Sequence, residues 1–275
     1  MGSRALLVVA ATAMIIAGGQ LLGAAAVDNQ MHQPSGEFGS LHPSPDYSFW
    51  GPQRAKGVIV WSHGTPSLGD CADRHPGRAP AFISRFNLDG WDILRFDRDP
   101  CSDQINQAIA QIAAALPQLQ AAGYRRIVLA GQSRGAWHSL EALSVPGLAA
   151  YVSGIIGVSP AKHGTKLGYV TETGSYEWKV QLDHLAAPRV SIALIFFPDD
   201  PYIPDAPQRA AHATAALAQK GNQAVVIYED QGAGIGHGGA SNVRFTEKYT
   251  ACLIRFVNAG ERIGPCATGG MTAGR

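Results

Sequence analysis

The sequence predicts an α/β fold in which a mostly parallel, doubly wound sheet carries helices on both faces. Short, β-branched and nearly continuous apolar runs are typical of strands that are buried on both faces. Six such runs span residues 58–61, 91–96, 126–130, 154–158, 190–197 and 224–229. Stretches with helical spacing lie between them, and strands that alternate with helices indicate a parallel sheet.

The N-terminal residues are expected to lie outside this fold. Residues 1–4 supply a short positive start, residues 5–17 an apolar run, and Ala24, Ala25 and Ala26 the small residues of a cleavage site. This pattern predicts a secretory signal peptide over residues 1–26 and export to the periplasm or the exterior. A retained membrane anchor is the alternative, although the apolar run falls short of the ~20 residues that span a bilayer.

The rest of the chain is expected to form a single domain. Residues 27–45 are rich in Gly, Pro and Ser and suggest an extended arm, while residues 46–275 suffice for one α/β domain with a large core. Hydrophobic residues make up 46% of the chain and charged residues 16%, with a formal net charge of +1. This balance gives no electrostatic reason to expect nucleic acid, or a membrane surface after signal removal, as a partner.

Helical patterns follow most of the predicted strands. They cover residues 102–123, 134–144, 207–221 and 242–260, and Pro117 is expected to kink or divide the first. Residues 159–189 show no clear element but contain Tyr169, Tyr176 and Trp178. This segment is interpreted either as a short cap over a substrate pocket or as a surface excursion with its aromatic side chains packed beneath it.

The sequence GQSRG, residues 131–135, joins the third predicted strand to a helix. Its serine, Ser133, is either a nucleophile or a hydroxyl that happens to lie between glycines. The strand–turn–helix setting favours the first interpretation, because a sharp turn there projects the hydroxyl above the strand end. Gly131 and Gly135 lack a Cβ and would let the strand and helix approach each other.

A serine nucleophile needs a base within hydrogen-bonding reach. His237 is the best-placed of the nine histidines, because it lies in a glycine-rich loop between the last strand and the last helix. Loops at the carboxyl ends of parallel strands share one edge of the sheet, so this loop can reach Ser133. His138 and His212 fall inside helices and are interpreted as packing or surface residues.

The imidazole in turn needs a carboxylate that fixes its tautomer. Asp199 and Asp200 follow the fifth strand, and either could serve. Asp200 is preferred because Pro201 and Pro204 after it would form a rigid turn. Asp199 is the alternative acid, and Asp230, closer to His237 along the chain, is a more distant candidate.

The order Ser133, Asp200, His237, each after its own strand, resembles that of the α/β-hydrolase superfamily across residues 58–259. The Asp-Pro-x-x-Pro turn at residues 200–204 is similar to acid loops of esterases and dienelactone-hydrolase-like members. The resemblance implies a nucleophile elbow and a Ser-His-Asp triad, with no metal and no organic cofactor. It also implies that His63 is structural and that the backbone amides of Gly64 or Thr65, with that of Arg134, form an oxyanion hole.

Four cysteines in an exported chain indicate two disulfides. They are Cys71, Cys101, Cys252 and Cys266, and three pairings are open. No Cys-x-x-Cys pair or histidine cluster indicates zinc. The sheet order of the resembled family implies the pairs Cys71–Cys101, at the rim of the site, and Cys252–Cys266, between the last helix and the tail.

The sequence therefore predicts a secreted serine hydrolase that cleaves a carboxylic ester, or a related acyl compound, through an acyl-enzyme. A short cap without an extended apolar run favours small or medium acyl substrates. Amidase, peptidase, thioesterase or acyltransferase chemistry would use the same residues. The alternative from another class is a noncatalytic secreted binding protein on the same fold. A nucleotide-binding domain is disfavoured, because neither Gly-x-Gly-x-x-Gly nor a Walker loop follows the first strand.

Overall fold

A seven-stranded sheet organises the chain in the computed structural model, which describes residues 38–65, 78–98, 104–163, 171–185 and 189–267. The strands are β1 (Leu41–Pro43), β2 (Gly57–Ser62), β3 (Trp91–Phe96), β4 (Ile127–Gln132), β5 (Gly154–Val158), β6 (Ser191–Phe196) and β7 (Ala224–Tyr228). The helices are α1 (Ala81–Leu88), α2 (Ile105–Ala122), α3 (Arg134–Ala142), α4 (Thr171–Asp183), α5 (Ala206–Gln219) and α6 (Val243–Ala259).

The strand order is β1-β3-β2-β4-β5-β6-β7. Among the seven described strands, only β1 runs antiparallel, against β3, and the other neighbouring pairs are parallel. β4 is therefore the central strand, and the loops that follow β2, β4, β5, β6 and β7 leave from one edge of the sheet. A ligand site is expected at that edge in open sheets of this kind.

Two hydrophobic layers cover the sheet, one on each face. Alternate residues of β2 point to opposite layers: Val58 and Val60 join one, Ile59 and Trp61 the other. Helices α2, α3, α4 and α5 pack on the first face, and α1 and α6 on the second. The predicted fold class and the six predicted strands are thus confirmed.

Of the strands and helices given above, β1, α1 and α4 were not predicted. β1 is only three residues long, and α1 is a single eight-residue helix. The spacing of Phe82, Ile83 and Phe86, all fully buried in α1, was the available signal for that helix. α4 lies in the segment without a predicted element, where Gly174 and few apolar residues weaken the helical pattern.

The helix predicted over residues 102–123 is not divided at Pro117. α2 runs unbroken from Ile105 to Ala122 with Pro117 inside it. Ile112, Leu116 and Leu119 flank the proline and are almost completely buried, so packing holds the helix together across the missing hydrogen bond. Within the described ranges, no helix combines the length and the apolar character needed to cross a membrane.

Candidate active site

Ser133 occupies a strained turn between the central strand and α3. Its backbone lies at φ 55° and ψ −123°, a region that residues other than glycine rarely adopt. Three backbone hydrogen bonds hold it there: its N–H donates to the Val158 carbonyl at 2.9 Å, and its carbonyl accepts from the Trp137 and Ala161 amides at 3.0 and 3.2 Å. The turn is thereby fixed to both α3 and the end of β5.

Gly131 and Gly135 let this turn close against β2. A Cβ on Gly131 would lie 2.5 Å from the Gly135 carbonyl carbon and 2.7 Å from the Ser62 oxygen. A Cβ on Gly135 would overlap the Ser62 oxygen itself. Any larger residue at either position would push α3 away from the strand ends, so the two glycines set the position of Ser133.

His237 and Asp200 are paired in the structure. The His237 Nδ1 atom lies 2.9 Å from both carboxylate oxygens of Asp200. The Asp200 side chain is fully buried, and the Tyr202 amide donates a 2.9 Å hydrogen bond to its Oδ1. A carboxylate only accepts hydrogen bonds, so Nδ1 carries the proton of the neutral ring and Nε2 keeps its lone pair for another partner.

Within the described residues, neither of the other two candidate acids forms a hydrogen bond or an ion pair with His237. Asp199, the alternative acid, is exposed and lies at φ 54° in the turn before Asp200. Asp230 is exposed as well. Only Asp200 of the three therefore has the geometry that orients the imidazole.

The loop that carries His237 is attached to the elbow through Gln132, the residue before Ser133. The Gln132 side-chain amide donates a 2.7 Å hydrogen bond to the His237 carbonyl. Between the described side chains of Ser133 and His237 themselves, the structure shows no hydrogen bond. Such bonds are often long in ligand-free enzymes and tighten when substrate binds.

Glu229 anchors the start of the same loop and was not singled out from the sequence. Its buried carboxylate accepts hydrogen bonds from the amides of Gln231 (2.9 Å) and Ala233 (3.1 Å), from Lys248 Nζ (2.9 Å) and from the Tyr249 hydroxyl. Burial raises the pKa of Glu229, but these hydrogen bonds and the Lys248 charge outweigh burial and hold the pKa below its usual range. The carboxylate thus ties the loop to α6.

Tyr202 is a second residue that the sequence did not reveal. Its ring packs against the His237 imidazole, with ring centroids 4.5 Å apart, while its backbone binds Asp200. The Tyr-Ile-Pro stretch after Asp200 was interpreted only as a rigid turn. In the structure it also supplies a wall for the histidine.

Gly64, one of the predicted oxyanion-hole residues, lies beside Ser133. A Cβ added to Gly64 would be 3.2 Å from the Ser133 Cβ and 3.8 Å from its Oγ. Among the described residues, no acceptor pairs with the Gly64 amide. Thr65 follows and is exposed, and Arg134 opens α3, whose first amides have no acceptor inside the helix. The His63 Nδ1 atom lies 2.6 Å from the Gly64 carbonyl oxygen.

α4 lies within the segment interpreted as a cap or an excursion. Trp178 of α4 is 1% exposed and packs against Trp137 of α3 and Phe196 of β6, whereas Tyr176 is 69% exposed. Glu177 accepts a 2.7 Å hydrogen bond from Lys162, which follows β5. α4 is therefore anchored to the core and to the segment after Ser159. Tyr169 lies outside the described residues.

One of the two predicted disulfides is present. Cys252 of α6 is bonded to Cys266 in the tail, with their Cα atoms 5.7 Å apart. This pairing was predicted correctly. Cys71 and Cys101 lie outside the described residues, as does the predicted signal peptide. Within the described part of the chain, no three His, Cys, Asp or Glu side chains are grouped so that they could hold a metal ion.

Comparisons by sequence find neither a matching family model nor a matching curated protein. Solved structures do match. An esterase from Pyrococcus furiosus is similar with a TM-score of 0.52 at 15% identity, covering 74% of this chain and 80% of that chain. The esterase Est1E from Butyrivibrio proteoclasticus gives 0.51 at 14% identity, with 80% and 93% covered.

Peptidases match at a similar level. A puromycin-hydrolyzing peptidase from Mycobacterium tuberculosis has a TM-score of 0.54 at 14% identity, covering 79% of this chain. This chain spans only 37% of that peptidase's length. Esterases and peptidases thus have the same overall fold as this chain. On these grounds the chain is a protein of the α/β-hydrolase fold.

Proposed function

We propose that this protein is a serine hydrolase that cleaves carboxylic esters, or related acyl compounds, of small or medium size. The observation that carries the proposal is the hydrogen bond between His237 and the buried Asp200, in a loop that Gln132 ties to the strained turn of Ser133. A buried carboxylate that orients a histidine is costly to maintain for packing alone. Beside a projecting serine, it is the arrangement that nucleophilic catalysis needs.

In the proposed reaction, Ser133 Oγ attacks the acyl carbon while His237 Nε2 takes the hydroxyl proton. Asp200 holds Nδ1–H and stabilises the imidazolium that forms. The amides of Gly64 or Thr65 and of Arg134 bind the oxygen that becomes negative in the tetrahedral intermediate. His237 then protonates the leaving alcohol, and the acyl-enzyme is hydrolysed by water that the same histidine activates.

The test is turnover of a panel of p-nitrophenyl esters by the wild type and by Ser133→Ala. The variant should lose a factor on the order of 10⁵ to 10⁶ in turnover while keeping its fold, because serine and histidine act as a unit. Esters with longer acyl chains show which acyl length the enzyme prefers. Anilides of the same acids show whether it also cleaves amides. Retention of most activity in the folded variant would refute the mechanism.

Two other functions are compatible with the same fold. Amide or peptide hydrolysis is supported by the peptidase neighbours, although this chain covers only a minor part of the one described. A noncatalytic binding protein would bind acyl compounds without turning them over, and the ester panel separates it from an enzyme. Thioesterase and acyltransferase activities differ only in the leaving group or the acceptor.

We propose further that the chain is exported and cleaved near Ala26. The apolar N-terminal run and the Cys252–Cys266 disulfide support this, because such bonds persist in oxidising compartments. N-terminal sequencing of the natural protein should begin near Val27. Thiol titration of the denatured protein should find no free thiol, with Cys71 and Cys101 recovered as linked peptides. An intact Met1 together with free thiols would contradict export.

A further inference from the structure

Arg98 is a buried arginine that binds the segment beside Ser133. It lies two residues after β3, is 7% exposed, and its guanidinium is 5.9 Å from the Phe96 ring centre. One of its terminal nitrogens donates to the Ser62 hydroxyl. The other donates to the His63 carbonyl at 2.6 Å and approaches the Gly64 carbonyl at 3.3 Å.

These contacts fix the direction of two peptide units. None of the described peptide bonds is cis, and in a trans peptide the carbonyl of one residue points opposite to the N–H of the next. Because the His63 and Gly64 carbonyls face Arg98, the amides of Gly64 and Thr65 point away from it. Ser133 approaches Gly64 closely enough that an added Cβ would contact it, and the Gly64 amide has no acceptor among the described residues.

A guanidinium on the carbonyl side also changes the strength of these amides. Hydrogen bonds in a chain polarise one another, so a charged donor on the carbonyl makes the N–H of the same peptide a better donor. Arg98 is 7% exposed, so water screens its charge less than that of a surface arginine.

We propose that Arg98 is a positioning residue that orients and polarises the oxyanion-hole amides of Gly64 and Thr65. This inference rests on the proposed function, because the proposed reaction creates the negative oxygen that the amides stabilise. Arg98 acts through the backbone and does not touch the substrate. Arg98 therefore stabilises the transition state, in which the acyl oxygen is negative. It contributes little to the binding of the neutral substrate.

The experiment compares Arg98→Met and Arg98→Lys with the wild type. Arg126→Met is a matched control. Arg126 lies at the other end of the strands, just before β4, where it donates to the Val257 carbonyl and stacks on Trp91. Removal of one oxyanion-hole donor typically costs about 10²- to 10³-fold in kcat. We therefore expect Arg98→Met to lose roughly 10- to 100-fold in kcat with little change in KM, and to bind a trifluoromethyl ketone more weakly by a similar factor.

Infrared spectroscopy of a slowly deacylating acyl-enzyme gives a readout that a merely structural role would not move. Oxyanion-hole hydrogen bonds lower the stretching frequency of the acyl carbonyl, so Arg98→Met should raise it, Arg98→Lys should raise it less, and Arg126→Met should leave it at the wild-type value. Should Arg98→Met fail to fold, the frequency shift and ketone affinity of Arg98→Lys decide the matter.

Fluorophosphonate labelling distinguishes a failure of the proposed function from a failure of the role of Arg98. If the wild type is not labelled and forms no acyl-enzyme, the proposed function fails and the role of Arg98 fails with it. If the wild type is labelled but the Arg98 variants keep its carbonyl frequency and ketone affinity, only the role of Arg98 is overturned. That role is also overturned if Arg126→Met shifts both quantities as far as Arg98→Met does.

Discussion

Replacement of Asp200 by asparagine changes one group in the site and leaves its shape. The Tyr202 amide donates to Oδ1 of Asp200, so an asparagine would place its carbonyl oxygen at that position. Its NH₂ group would then face His237 Nδ1, which lies 2.9 Å from the other carboxylate oxygen. The NH₂ group only donates, so a ring that bonds to it accepts at Nδ1 and carries its proton on Nε2. The histidine can then no longer take the Ser133 proton.

The expected loss in turnover is about 10⁴-fold, which corresponds to roughly 5.5 kcal/mol at about 1.36 kcal/mol per factor of ten. The fold should persist, because asparagine fills the same volume and keeps the Tyr202 hydrogen bond. Burst-phase kinetics with a p-nitrophenyl ester would measure the acylation step. Thermal unfolding monitored by circular dichroism would show that the variant is folded.

Asp199→Asn is the matched control. Asp199 is exposed, forms no described hydrogen bond or ion pair with His237 and lies at positive φ, a conformation that asparagine tolerates. Turnover should therefore stay near the wild-type value. A folded Asp200→Asn enzyme that keeps most of its acylation rate would refute the role of Asp200. A larger loss in Asp199→Asn than in Asp200→Asn would transfer that role to Asp199.

Three further predictions concern the base, the disulfide and Glu229. His237→Ala should abolish acylation, because Ser133 then has no base to take its proton, whereas His63→Ala should keep most of the rate of this step. Replacing both Cys252 and Cys266 by serine opens a loop with a sequence separation of 14 and should cost about 3 kcal/mol, seen as a melting temperature lower by roughly 6–12 °C with kcat unchanged. The pKa of Glu229 is lowered in the folded state, so its contribution to stability is present above the unfolded pKa and is lost as pH falls through the folded pKa. Glu229→Gln should flatten this acidic part of the stability–pH curve, and an unchanged curve in urea titrations would contradict the assigned network.

The sequence was most informative where one residue type satisfies one physical requirement. Continuous apolar runs are typical of strands that are covered on both faces, and of buried helices. Because the runs here are short, they indicated strands. The glycines around Ser133 pointed to the elbow because nothing larger fits at Gly131 or Gly135. β1 escaped prediction because a three-residue edge strand containing Pro43 carries almost no pattern of its own.

Residues that act through tertiary contacts left no local signal. In the sequence, Glu229 resembles the last residue of a strand, and only the fold places the glycine-rich loop against it. Arg98 is one of several charged residues after β3, and only the fold places residues 62–64 against it. Tyr202 faces His237 across 35 residues of sequence, since the contact depends on how two loops meet at one edge. Trp178 packs α4 against the core. The residues around Trp178 lack the apolar spacing of a helix, so the sequence did not predict α4.

Labelling with a fluorophosphonate, followed by mass spectrometry of the peptides, shows whether Ser133 is an activated nucleophile. These reagents form a stable bond only with a serine that a neighbouring base activates. We expect one label per chain on Ser133, none on the Ser133→Ala protein, and greatly slowed labelling of His237→Ala. A folded wild-type protein that takes up no label, or one labelled at a different serine, would contradict the proposed mechanism.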